Sequence, residues 1–98
     1  MRAIPKHFDL FGQRITVIIN DNLHSEQDCL GKWRPHSNEI HLQAPSDEFA
    51  QDVILQTFWH EATHAILDLL AYPEWSENER FVEQIGQAVF QVLKTKRG

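Results

Sequence analysis

The sequence predicts an α+β protein with strands first and a pair of helices after them. Two observations carry this reading. Up to Gln43 the apolar residues come in short β-branched or alternating runs, broken by Gly12, Pro35 and Asn38. From Gln51 onward they recur three and four apart, and no Gly or Pro interrupts residues 51–70. A chain of 98 residues with a hydrophobic fraction of 42% can bury one modest core, so residues 1–98 are read as a single domain.

Residues 4–10 are mixed and predict a short strand. Phe11-Gly12-Gln13 is a turn, with Gly12 supplying the backbone freedom. Residues 14–20, Arg-Ile-Thr-Val-Ile-Ile-Asn, give the clearest strand, with Ile15, Val17 and Ile19 on one face. Residues 21–26 are polar and read as a loop. A hairpin is expected next, from residues 29–34 and 38–43 around Pro35-His36-Ser37-Asn38. In its second strand Ile40 and Leu42 point inward, and Glu39, His41 and Gln43 outward. The expected sheet is small and antiparallel, of about three strands.

Ala44-Pro45 ends the strands, and Ser46 or Asp47 is a good N-cap for a helix running to about Ala71. Residues 72–76 break it. Two start signals compete for the next helix: Pro73 at a first helical position, or Ser76 with Glu79 as a capping box. Phe81, Val82, Ile85, Ala88, Val89, Val92 and Leu93 then keep helical spacing. The short break makes the two helices antiparallel neighbours, and Gly86 permits a close approach between them.

The first of these helices carries His60-Glu61-Ala62-Thr63-His64. Residues four apart share a helix face, so His60 and His64 can offer imidazoles to one metal ion. Glu61 lies about 100° round the helix from His60. That sets a carboxylate beside the ion, where it can take a proton from water. This H-E-x-x-H pattern is the signature of zinc peptidases, with the Glu as general base. The pattern alone is weak, but its flanks, Phe58-Trp59 and Ala65-Ile66-Leu67, are the most apolar part of the chain. Unpaired polar groups are costly there.

A catalytic zinc takes three protein ligands and keeps one position open. Asp68 continues the row His60, His64, but eight residues of helix span about 12 Å against ligand bonds of about 2 Å. It is expected to brace His64 or to be solvated. The extended motif H-E-x-x-H-x-x-G-x-x-H is excluded, because Leu67 and Leu70 hold its last two positions. The second helix offers Glu79 and Glu83, four apart on one face. One of them could ligate while the other hydrogen-bonds a ligating histidine. Spacing alone does not choose between them.

The order H-E-x-x-H, short connection, then Asn78-Glu79 with Glu83 resembles the gluzincin clan of zinc metallopeptidases. It resembles most closely the minigluzincins and the small metallopeptidase-like proteins of phages and prophages. The likeness spans most of the chain and implies a minimal zincin-like fold. It implies Zn²⁺ held by His60, His64 and Glu79, with Glu83 bracing a histidine or standing as alternative ligand. Glu61 is then the catalytic base for hydrolysis of a peptide or protein substrate. Residues 38–43 are expected to be the exposed edge against which the peptide pairs. The strongly active members supply a His or Tyr to the oxyanion, and none is placed here. The alternative is a zinc-stabilised protein-binding module that cleaves weakly or not at all. A weaker one is a metal-free helical-hairpin interaction domain.

The formal net charge of −5 argues against a nucleic-acid binder. No stretch approaches a membrane span. Residues 1–7 lack the apolar core of a signal peptide, and the single Cys29 fits a reducing compartment, so a cytoplasmic protein is expected. Cys29 is read as a buried strand thiol and Tyr72 as a helix-end anchor. His36 and His41 are read as surface residues. Trp33, Trp59 and Trp75 are read as packing in the core or at its rim.

Overall fold

The computed structural model describes residues 4–98. Eight elements follow in order: β1 (His7–Leu10), β2 (Gln13–Asn20), α1 (Leu23–Gln27), β3 (Gly31–Arg34), β4 (Glu39–Gln43), α2 (Gln51–Leu69), α3 (Pro73–Ser76) and α4 (Glu79–Thr95). The α+β class is borne out. The sheet differs from the expected one: it has four strands in the order β1-β2-β4-β3, and β2 pairs with β4 in parallel.

The physical reason lies in the two strands of the second hairpin. β4 contributes Ile40 and Leu42, both 0% exposed, whereas β3 carries Lys32 and Arg34. The apolar strand takes the interior of the sheet and the charged one its edge, where its unpaired backbone groups are least hazardous. Residues 38–43 are therefore not an exposed edge. The edges are β1 and β3. Register places Ile40 opposite Val17 on one side and Trp33 on the other.

The first hairpin closes through Phe11 (φ 51) and Gly12 (φ 79) between the paired Leu10 and Gln13. Two central residues with positive φ match the twist of the flanking strands. Along β2, Ile15 and Val17 are buried, but Ile19 is 48% exposed and leaves the core. The segment read as a loop holds the short helix α1, which buries Leu23. Gln43, expected to face outward, is buried because it pins this turn: its Oε1 accepts from the His24 N–H (2.7 Å) and its Nε2 donates to the Asp21 carbonyl (2.7 Å). Cys29 lies before β3, half-buried, and is not a strand thiol.

α2 lies between the sheet and α4. Its sheet side supplies Ile54, Leu55, Phe58 and Ala62 to the core with Ile15, Val17, Ile40 and Leu42. It begins at Gln51, later than the Ser46 or Asp47 cap predicts. The Ser46 hydroxyl instead accepts from the Glu48 and Phe49 N–H groups in the turn ahead of the helix. At its other end Ala71 adopts φ 62, with Ala71 N–H bonded to the Asp68 carbonyl and Tyr72 N–H to the Leu67 carbonyl. This is a Schellman closure with Ala at the position Gly usually takes.

Of the two helix-start signals only Pro73 is used, and not for the long second helix. Pro73 opens the separate short helix α3. α4 is capped by Asn78, whose Oδ1 accepts from the Phe81 N–H (3.1 Å), so Ser76 and Glu79 form no capping box. α4 runs antiparallel to α2: Lys94 pairs with Asp52 at one end, and Ser76 reaches His64 at the other. No helix among the described residues is long and apolar enough to cross a membrane.

Candidate metal centre

Three elements converge on the middle of α2. From α2 come His60, Glu61 and His64, from the end of α3 comes Ser76, and from the first turns of α4 come Glu79 and Glu83. The approach of α4 depends on Gly86, where an added Cβ would lie 3.0 Å from both the nitrogen and the Cα of His60. No side chain larger than hydrogen fits there without moving one helix.

The two imidazoles present Nε2 to a single carboxylate oxygen. Glu79 Oε1 lies 3.1 Å from His60 Nε2 and 3.2 Å from His64 Nε2. One ligand atom from each of the three residues falls within 4.8 Å of the others, so His60, His64 and Glu79 could hold a metal ion. The separations suit one. Ligands about 2.0–2.1 Å from a tetrahedral centre stand about 3.3 Å apart.

The far side of each imidazole is also held. His60 Nδ1 lies 2.6 Å from Glu83 Oε2, and Gln87 Nε2 donates to the other oxygen of that carboxylate (2.8 Å). His64 Nδ1 lies 3.1 Å from the Ser76 hydroxyl, on a residue only 6% exposed. These contacts fix the rings with Nε2 turned inward. Sequence reasoning found Glu83 by its spacing from Glu79. It missed Ser76 because the same residue also fits a capping pattern.

Glu61 is turned toward the sheet and is 9% exposed. Burial pushes its carboxyl above the ordinary value, and Glu79 adds to the rise. The His60 and His64 rings and the nearby Trp33 backbone act the other way. β3 can come this close because its first residue is Gly31. A Cβ there would meet Thr57 Cγ2 at 2.5 Å and Glu61 Cγ at 3.1 Å. The strand is also tied down beyond Glu61, where the Trp33 indole N–H donates to Asp68 Oδ2 (2.8 Å). Asp68 therefore anchors the edge strand to α2. It neither braces His64 nor is left to solvent.

A cleft of about 440 Å³ opens between β3 and α2, lined by Leu30, Gly31, Val53, Gln56, Thr57, His60, Glu61 and Glu83. The remaining candidates lie elsewhere. His36 is exposed, and His41 pairs with Glu39 across 2.9 Å. Tyr72 is 48% exposed. Trp33 and Trp59 pack at the rim of the core, and Trp75, 46% exposed, leans on Phe81.

No family model matches the chain, and no curated protein or solved structure matches it.

Proposed function

We propose that the chain is a zinc-dependent metallopeptidase of the gluzincin type, with His60, His64 and Glu79 as ligands and Glu61 as general base. The observation that carries this reading is the convergence of two Nε2 atoms and one carboxylate oxygen beside a buried glutamate that opens into a cleft. Two imidazoles and one carboxylate form a donor set used by catalytic zinc, which keeps its fourth position open. Zinc bound there supplies Lewis acidity and brings the pKa of its water toward neutrality.

The rest of the chemistry belongs to the chain. Glu61 takes the proton of the attacking water and returns it to the leaving amine. Its burial favours this two-way traffic, because a carboxyl whose pKa is raised holds a proton more readily than a solvated one. Glu83 and Ser76 keep the imidazoles oriented. The free edge of β3 offers backbone N–H and C=O groups along the cleft, so an extended peptide can add to the sheet there, with Gly31 leaving room at the entrance.

One observation favours the non-cleaving alternative. The cleft lining holds no Tyr, and its only His is the ligand His60, so no side chain of the usual kind faces a developing oxyanion. The deciding experiment is cleavage of a denatured protein substrate and a fluorogenic peptide library by zinc-loaded wild type and Glu61→Gln. The metallopeptidase reading expects cleavage that chelation abolishes and Glu61→Gln lowers by at least about 100-fold, while zinc stays bound. A zinc-loaded wild type that cleaves neither substrate supports the binding-module reading.

A further inference from the structure

α4 has two apolar faces, and only one of them is used. Val82 and Gly86 are buried against α2, with Val89 and Leu93 half-buried on the same line. A second line, Phe81, Ile85, Ala88 and Val92, lies about 100° round the helix. Most of it is open: Ile85 is 40% and Val92 61% exposed, Ala88 is exposed as well, and Phe81 is half-buried. Trp75 extends it, 46% exposed with its ring 4.8 Å from that of Phe81. Glu79 and Glu83 project from nearly the opposite side of the helix, so the stripe has no part in the metal centre.

We propose that this stripe is the seam of a homodimer in which two copies of α4 pack antiparallel. The spacing of the stripe suits such a seam. A two-fold interface must be complementary to itself. The intervals 81, 85, 88, 92 read the same in both directions. Pairing centred between Gly86 and Gln87 sets Phe81 against Val92 of the second copy, and Ile85 against the small Ala88. Each bulky residue meets a smaller one.

The charges at its two ends suit it as well. The N-terminal end of the stripe carries the exposed Glu74 and Glu77, and the C-terminal end the exposed Lys96 and Arg97. Antiparallel pairing brings the acidic end of one copy to the basic end of the other, with Glu77 near Lys96. Parallel pairing would set like charges together, which is costly. Lys94 is already engaged with Asp52 and takes no part.

The test is sedimentation equilibrium of the 98-residue chain from micromolar to near-millimolar concentration. A seam one helix wide sits at the small end of interfaces, so the association is expected to depend on concentration in that range. Ile85→Glu and Val92→Glu should each weaken association at least tenfold. Both sites are exposed, so thermal melting and zinc binding should match wild type. Glu77→Lys and Lys96→Glu should each weaken it, and the double exchange should restore it, which reads the antiparallel register directly. A wild type that stays monomeric throughout overturns the proposal and leaves the stripe to a different protein or to none. A dimer indifferent to Ile85→Glu, or a double exchange that restores nothing, overturns it equally.

Discussion

Gly86 lies so close to the backbone of His60 that a Cβ added to it would stand 3.0 Å from the His60 nitrogen. The helix crossing and the candidate metal site are thus one construction. Gly86→Ala must part α2 and α4 where Glu79 and Glu83 reach the histidines. Overpacking of this kind costs about 1–3 kcal/mol. The variant is expected to melt lower and also to bind zinc more weakly, as read by calorimetric unfolding and metal titration. Unchanged zinc affinity would show that the helix spacing does not set the ligand geometry.

The bracing contacts make a prediction of their own. Ser76→Ala frees His64 Nδ1, and Glu83→Ala frees His60 Nδ1. Each should lower zinc affinity by roughly 10- to 100-fold without changing the stoichiometry. Glu83→Gln keeps a carbonyl oxygen for the His60 N–H and should lose less. Competition with a chromophoric chelator measures all three. Equal affinities for Ser76→Ala and wild type would remove Ser76 from the site.

Ala71 closes α2 in the left-handed region, with φ 62. That conformation is strained for any residue with a Cβ, by about 1–2 kcal/mol. Ala71→Gly relieves the strain but gives back some unfolded-chain entropy, so a net gain of about 0.5–1 kcal/mol is expected. Urea unfolding reads it. A destabilised variant would mean that the Ala71 methyl makes a contact worth more than the strain.

Burial raises the Glu61 pKa above its ordinary 4.5. In the metal-free protein the folded chain therefore binds more protons than the unfolded chain just above pH 4.5, and stability falls as the pH rises through that window. Glu61→Gln removes this contribution. Its unfolding free energy, followed upward from pH 4.5, should decline less steeply than that of wild type. Parallel curves would show that the carboxyl titrates normally in the fold.

The cluster of His60, His64, Glu79 and Glu83 was legible in part because its pieces are local, although spacing did not choose between the two carboxylates. The spacing of His60 and His64, and of Glu79 and Glu83, is one helical turn, and a turn is set by backbone geometry alone. Gly86 announced a close approach in the same way. The parallel pairing of β2 with β4 was not legible. Alternation in residues 38–43 says that one face is buried, but it cannot say which strand lies alongside. The order follows from Ile40 and Leu42 competing with charged β3 for the sheet interior, a choice made between segments. Gln43, Ser76 and Asp68 were misread for a related reason. Each is a polar residue whose partner, in α1, on His64 or at Trp33, lies far away in sequence, and helical or strand periodicity carries no record of it.

Two imidazoles of α2 and one carboxylate of α4 are proposed to hold a single ion. Zinc content and affinity, measured side by side on wild type and Glu79→Ala after exhaustive dialysis, test it most directly. One zinc per chain in wild type, with affinity at least about 100-fold weaker in Glu79→Ala, is the expected result. Equal loading of the two proteins, or none in either, would contradict it.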